Sequence, residues 1–299
     1  MPSPTSNFPF SPPPDISQFG IRVGTSGFEH SDWAGLFYHK AIRPQGNLKV
    51  TSKDWFSIYQ SYFSFLEIGH TFYQEPQLQQ FEELERSSKS SMRFSVKVYR
   101  DISHKGVWNS EEGKSLMRKH AVAVSPLSET GRFHSFLIQL DDTVERNRKI
   151  LDYLLTTASV ALSEGLNVHI EFRNRTWHQE SVLQALKDAG VGICNTEIPA
   201  IGHAYPLKAY ATSALGYVRY HGLNLPGWET LKNTSARYDY NYSQLELKER
   251  VRSQIKLLQK TGTVAIVFNN HTRAQAALNA IENINLLDGH FNSAKSRKI

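Results

Sequence analysis

Short apolar runs alternate along this chain with longer stretches in which apolar residues recur every three or four positions, a pattern that predicts repeated strand–helix units. Eight runs read as strands: Ile21 to Gly24, Phe65 to Ile68, Phe94 to Val98, Phe136 to Leu140, Asn167 to Phe172, Val191 to Asn195, Gly216 to Tyr220 and Thr263 to Phe268. Eight is the number that closes a parallel TIM-type (β/α)8 barrel. Helices that pack one face on a sheet are predicted at Gln77 to Arg86, Val144 to Leu162, Glu180 to Ala189, Ser243 to Lys260 and Arg273 to Leu287. Ser243 with Glu246 reads as a capping box, and Thr272 as the cap of the last helix.

The connections are unequal. Those that follow strand ends are long (Thr25 to Lys53, Tyr99 to Glu111, Thr196 to Ala214, His221 to Tyr242), whereas Ala189-Gly190 and Thr261-Gly262, which precede strands, are tight. In a barrel the long loops on the carboxyl side of the strands carry the binding site.

Polar side chains accumulate at those same carboxyl ends. Glu67, Lys97 and Gln139 close three apolar runs; Glu171 and Arg173, Arg219 and His221, and Asn269 and Asn270 follow three more. A lone ion in an apolar strand is costly, so this many at equivalent positions implies one shared polar cavity. Side chains two apart on a strand share a face, which puts Glu171 with Arg173, Arg219 with His221, and Glu67 with Thr71 on a common rim. Glu67 and Lys97 lie on consecutive strands, and their pairing is expected to hold Lys97 charged.

Composition narrows the setting. The chain has 299 residues, 40% hydrophobic and 21% charged, which suits one large barrel and excludes wholesale disorder. Residues 1–18 open with six of the twelve prolines and read as a disordered lead rather than a signal peptide; 19–290 form the barrel and 291–299 a basic tail. The single cysteine, Cys194, permits no intramolecular disulfide and points to a reducing, cytoplasmic compartment. No stretch is apolar enough to span a membrane. The net charge of +6 favours anionic partners such as phosphate esters or nucleic acid.

These features give candidate roles. Glu67 and Glu171 are the acid/base candidates, Lys97 and Arg219 electrostatic stabilisers, and His221 a proton shuttle. The plain alternative is a buried ion network that plugs the barrel mouth. Asn269, Asn270 and Arg273, at the start of the last helix, are placed to hold a phosphate or carboxylate, or simply to cap that helix. Between Trp228 and Tyr242, aromatics interleave with Lys232 and Arg237, which suits either stacking on a nucleic acid or packing down over the barrel. Lys97, Arg173 and Arg219 lie among the metal-ligand types, so neither a metal nor another cofactor is expected.

Several segments together resemble the YecE-like proteins, the family of unknown function numbered seventy-two. They are Ile21 to Gly27, Glu67 to Tyr73, Phe94 to Lys97 with Ile102 to His104, Glu171 to Arg173 with Trp177, Arg219 to Gly222, and Phe268 to Asn270. The resemblance runs in order from Ile21 to Leu287. It implies a TIM-type barrel with a polar centre but no established reaction, and a fold akin to the xylose isomerase and endonuclease barrels. Carried over residue by residue, it adds Thr25, Ser26, Thr71, Tyr73, His104, Gln139, Trp177 and Gly222 to the polar set already named. The chain departs from that family's pattern at Gly69-His70, Asn174, Asp141-Asp142 and Phe28.

The expectation is therefore a metal-independent acid/base enzyme acting on a small anionic, phosphate-containing or nucleic-acid-derived substrate. Glu67, Lys97, Glu171 and His221 are its catalytic candidates. Thr25, Ser26, Thr71, Tyr73, His104, Gln139, Arg173, Trp177, Arg219, Asn269, Asn270 and Arg273 are its substrate-binding candidates. The alternatives are a non-catalytic nucleic-acid or metabolite binding module and a metal-dependent hydrolase.

Overall fold

The computed structural model describes residues 11–38, 51–104, 108–200, 204, 207–229 and 234–296. Eight parallel strands close on themselves in chain order. They are β1 (Ile21–Ser26), β2 (Phe65–Ile68), β3 (Arg93–Lys97), β4 (Phe133–Gln139), β5 (Val168–Glu171), β6 (Gly192–Glu197), β7 (Leu215–Tyr220) and β8 (Thr263–Phe268). The surrounding helices are α1 (Ser52–Tyr62), α2 (Leu78–Ser87), α3 (Arg100–Ser103), α4 (Ser110–Ala123), α5 (Ser125–Glu129), α6 (Arg148–Ser163), α7 (Glu180–Asp188), α8 (Leu225–Glu229), α9 (Gln244–Thr261) and α10 (Gln275–Ser296).

The period of two along each strand sorts side chains between two cores. Outward residues such as Ile21, Val23, Leu66, Val96, Ile138, Ile170, Val218 and Ile266 join the layer packed under the helices. Inward residues Phe65, Leu137, Cys194, Tyr217, Ala265 and Val267 fill the barrel itself. Two glycines make room at this packing density. A Cβ on Gly24 would lie 1.9 Å from the carbonyl oxygen of Phe65, and one on Gly192 would lie 2.3 Å from the His169 ring.

The expected strands are present, with ends that shift by a few residues. The largest shift is at β4, which starts at Phe133 because a bulge between Phe94 and Ser95 of β3 adds a residue to its register. α1 and α4 were not among the expected helices, and only their first two residues fall in the expected loops. Threonine starts α1 through a capping box with Asp54, and Asn109 starts α4 by accepting from the amides of Glu111 and Glu112. The buried stripe of α4 includes Gly113 and His120, residue types that hide an apolar period. Gly113 is needed there because a Cβ would meet Thr157 of α6 at 2.4 Å.

Both ends of the barrel domain are revised. Ile16 is buried, so the structured part begins before residue 19; residues 1–10 of the expected lead lie outside the described residues. Helix α10 continues to Ser296 through most of the expected basic tail, and Phe291 stacks on Phe19 with ring centroids 4.3 Å apart. Residues 297–299 lie outside the described residues.

Candidate active site at the carboxyl end of the barrel

Inward positions at the carboxyl ends of five strands build one ionic lattice. Arg219 of β7 is its hub: Nη2 donates to Glu67 Oε1 of β2 at 2.8 Å, and Nη1 donates to Glu171 Oε2 of β5 and to Gln139 Oε1 of β4 at 3.1 Å. Glu67 also accepts from Ser26 Oγ of β1 at 2.6 Å and from the Tyr217 hydroxyl at 2.7 Å. Arg173 Nε donates to Glu171 Oε1 at 2.6 Å. Both carboxylates have 0% side-chain exposure. Burial alone would raise Glu171, but Arg219 and Arg173 outweigh it and hold the carboxyl well below the usual range. Glu171 is thus held ionised between its two arginines.

Lys97 behaves differently. The expected pairing with Glu67 does not form, because the β2–β3 register sets Glu67 opposite Ser95 and lifts Lys97 one inward layer higher. Its Nζ lies 3.8 Å from the centroid of the Phe72 ring, and among the described residues no carboxylate comes within ion-pair distance of it. Burial, followed by the charges of Arg219 and Arg173, pushes the amine down to about 7, against the opposing pull of Glu171 and Glu67.

His221 has no exposed surface and sits behind the lattice. Asn269 Nδ2 lies 2.8 Å from its Nδ1, and its Nε2 lies 3.2 Å from Glu171 Oε1, 3.3 Å from Arg219 Nη1 and 3.4 Å from Arg173 Nη2. Burial pushes the imidazole down to about 3 despite Glu171, with Arg173 and Arg219 contributing. It is walled off from solvent and neutral, and it lies against Glu171. His104, whose ring packs on Phe72, is also held neutral, at about 4, by burial and then by Lys97.

A cavity of about 820 Å³ opens above these groups. Of the expected residues, Ser26, Glu67, Tyr73, Lys97, Gln139, Arg219 and Asn269 line it. The others stand back. Thr25 faces the helix layer, where its backbone N–H donates to the Tyr59 hydroxyl at 2.9 Å. Thr71 donates to the Lys97 carbonyl at 2.6 Å and thereby fixes the strand end that carries the amine. Trp177 stacks on Phe172 with its indole N–H bound to the Val144 carbonyl. Asn270 bonds the Tyr240 carbonyl and Asn279 of α10. Arg273 reaches toward Asp239, while its backbone N–H donates to Asp32 Oδ2 at 2.6 Å, so a carboxylate of the chain already fills the expected anion position. These five are structural in this geometry.

Among the wall residues, His30 was missed by sequence reasoning, while His271 and Tyr238 fell in stretches singled out there without being placed in the site. The two imidazoles stack face to face at 4.7 Å and 5°, and Tyr238 lies 5.2 Å from His271. Their only sequence signal was a position in the loops that follow β1, β7 and β8. In the aromatic stretch, Trp228 and Tyr242 are buried and Arg237 lies over the Trp228 ring at 5.0 Å, so most of these rings pack inward; Lys232 lies outside the described residues. No three His, Cys, Asp or Glu side chains cluster as a metal site requires, among the described residues.

A closed eight-stranded parallel barrel with its polar groups gathered at the carboxyl end of the strands defines a (β/α)8 protein of TIM type. Residues 22–298 match the family described as "Protein of unknown function DUF72", and the chain belongs to it. It is 25% identical over 273 residues to the UPF0759 protein YunF of Bacillus subtilis (strain 168), across 87% of this chain and 95% of that one. A crystal structure of a family member from Thermotoga maritima has a TM-score of 0.76 at 28% identity and covers 90% of this chain and 99% of its own. One from Enterococcus faecalis has a TM-score of 0.75 at 24% identity and covers 90% of this chain and 95% of its own.

Proposed function

We propose that the protein is a cytoplasmic enzyme that binds a small anionic substrate in the barrel-mouth cavity and acts on it by proton transfer. The observation that carries this reading is the uncompensated Lys97 amine in the cavity wall, beside two guanidinium groups that each hold a carboxylate. A ligand carboxylate or phosphate supplies the counter-charge that the chain withholds. Glu67, which lines the same cavity, is the candidate proton carrier; Glu171, Arg173, Arg219 and His221 set its position and field. The packed aromatic loop leaves little support for a stacking surface for long nucleic acids, so the favoured substrate is small.

Melting temperatures at low salt, with and without orthophosphate, adenosine monophosphate or pyruvate, test the binding half. The wild type is expected to be stabilised by at least one of these anions and Lys97→Gln by none; equal shifts in both proteins would overturn the assignment. For any substrate found, Glu67→Gln is expected to lower turnover by roughly 10²- to 10⁴-fold, and full retention would remove Glu67 from the chemistry.

A further inference from the structure

Among the described residues, Arg173, Arg219 and Lys97 meet at the inner end of the cavity, and of these Lys97 is left without a counter-ion. Arg219 holds Glu67 and Glu171, and Arg173 holds Glu171. Lys97 is packed over the Phe72 ring, faces the cavity, and contacts no carboxylate among the described residues. Thr71 clamps its carbonyl, so the amine is presented from a fixed strand end. A lysine used only to attract anions gains from being charged, yet burial and the guanidiniums of Arg219 and Arg173 oppose the charge more than the Phe72 ring face and the two carboxylates support it. The balance favours a free amine, and a free amine in a cavity is a nucleophile.

We propose that Lys97 is a covalent centre whose ε-amine condenses with the carbonyl carbon of a small 2-oxo acid to form an imine. This rests on the anionic-substrate reading and deepens it. The amine lone pair attacks the carbonyl carbon to give a carbinolamine. Its hydroxyl then leaves as water, one hydrogen of that water coming from the amine and the other from solvent in the open cavity. The product is an iminium that keeps one hydrogen on nitrogen and one positive charge.

That charge stands where the ammonium ion was disfavoured, next to Arg219 and Arg173. Glu67 and Glu171 are already engaged, so the compensation must arrive with the substrate. A carboxylate one bond from the reacting carbon places it closest, which is why a 2-oxo acid fits better than a simple aldehyde. The lowered basicity of the amine, about 7, agrees with this role because about half of it is unprotonated at neutral pH.

The test uses the full chain with pyruvate and with glyoxylate at pH 7.5 and sodium cyanoborohydride, which reduces an imine to a stable secondary amine. Peptide mapping by mass spectrometry then reads the labelled lysines. The expected result is one adduct per chain, on Lys97, formed at least ~10-fold faster than on exposed Lys149 or Lys248, since an ordinary lysine amine is almost wholly protonated at this pH. Lys97→Arg keeps a cation and is expected to give no adduct. Labelling of Lys149 and Lys248 with Lys97 no faster overturns the proposal. If both acids raise the melting temperature of wild type and Lys97→Arg alike and no adduct forms, the imine is overturned while the anion site stands. If neither acid binds and no adduct forms, both readings fall.

Discussion

At the amino end of the barrel interior, His134 is half-buried and His169 buried, pushed down to about 3 and about 4 by desolvation, among Phe65, Leu137 and Tyr217. At the carboxyl end, two positions further along the same strands, Glu67, Glu171 and Arg219 are buried yet mutually paired. A buried titratable group either gives up its charge or acquires a partner, and each end of this barrel takes one of those routes. Lys97 stands between them, with a charge that is neither lost nor matched. The amino end is electrically neutral and the carboxyl end holds one unmatched cation among its paired charges.

Acid acts first on the desolvated neutral imidazoles, which lie at both ends of the barrel and on α4, and has the largest expected effect. His120, His134, His169 and His221 have folded values of about 3 to 4 against an ordinary 6.5, so below pH 6.5 the unfolded chain binds protons that the folded one refuses. Stability therefore falls as pH drops through that window, by up to about 1.4 kcal/mol per pH unit for each imidazole. The depressed Glu171 adds loss in the same direction. Urea titrations between pH 7 and pH 4.5 should show a steep decline, and a flat profile would mean that the four rings take up protons without unfolding.

Breaking the paired end comes next. Arg219→Leu leaves Glu67 and Glu171 buried without their shared partner and should cost about 3 to 5 kcal/mol, read as a lower urea midpoint. The smallest effect has the opposite sign. Lys97→Met removes an uncompensated cation and should stabilise the fold by roughly 1 to 2 kcal/mol near pH 6. Because the folded value of Lys97 is depressed from 10.5 to about 7, the penalty relieved is full at and below pH 7 and fades toward pH 10. A loss of stability at pH 6 would show that Lys97 is held by contacts that outweigh its charge.

Much of the barrel was legible because alternation and period are local properties. Eight apolar runs marked the strands, and the two-residue step correctly joined Glu171 to Arg173. The failures arose where geometry is not local. The partnership of Glu67 with Arg219 rather than Lys97 depends on inter-strand register and on the reach of an arginine across the barrel, neither of which is written in any one strand. Thr25, one residue before Ser26, faces the opposite side for the same period-two reason that made the strand visible. Helix α4 was obscured by Gly113, whose place makes sense only beside α6, and by His120, which accepts from the Tyr99 N–H and packs on Phe136 of β4.

The seam where β1 meets β8 has a consequence for synthesis. Trp33 Nε1 donates to the carbonyl of His271, 238 residues away, and β1 is paired along its length with the last strand. On the ribosome, Glu67, Glu171 and Arg219 all emerge well before β8, so the nascent chain carries its most expensive charges with no closed wall to shelter them. Ring closure commits them to one another, so a chain cut before β8 is expected to leave these charges unsheltered and to aggregate rather than fold.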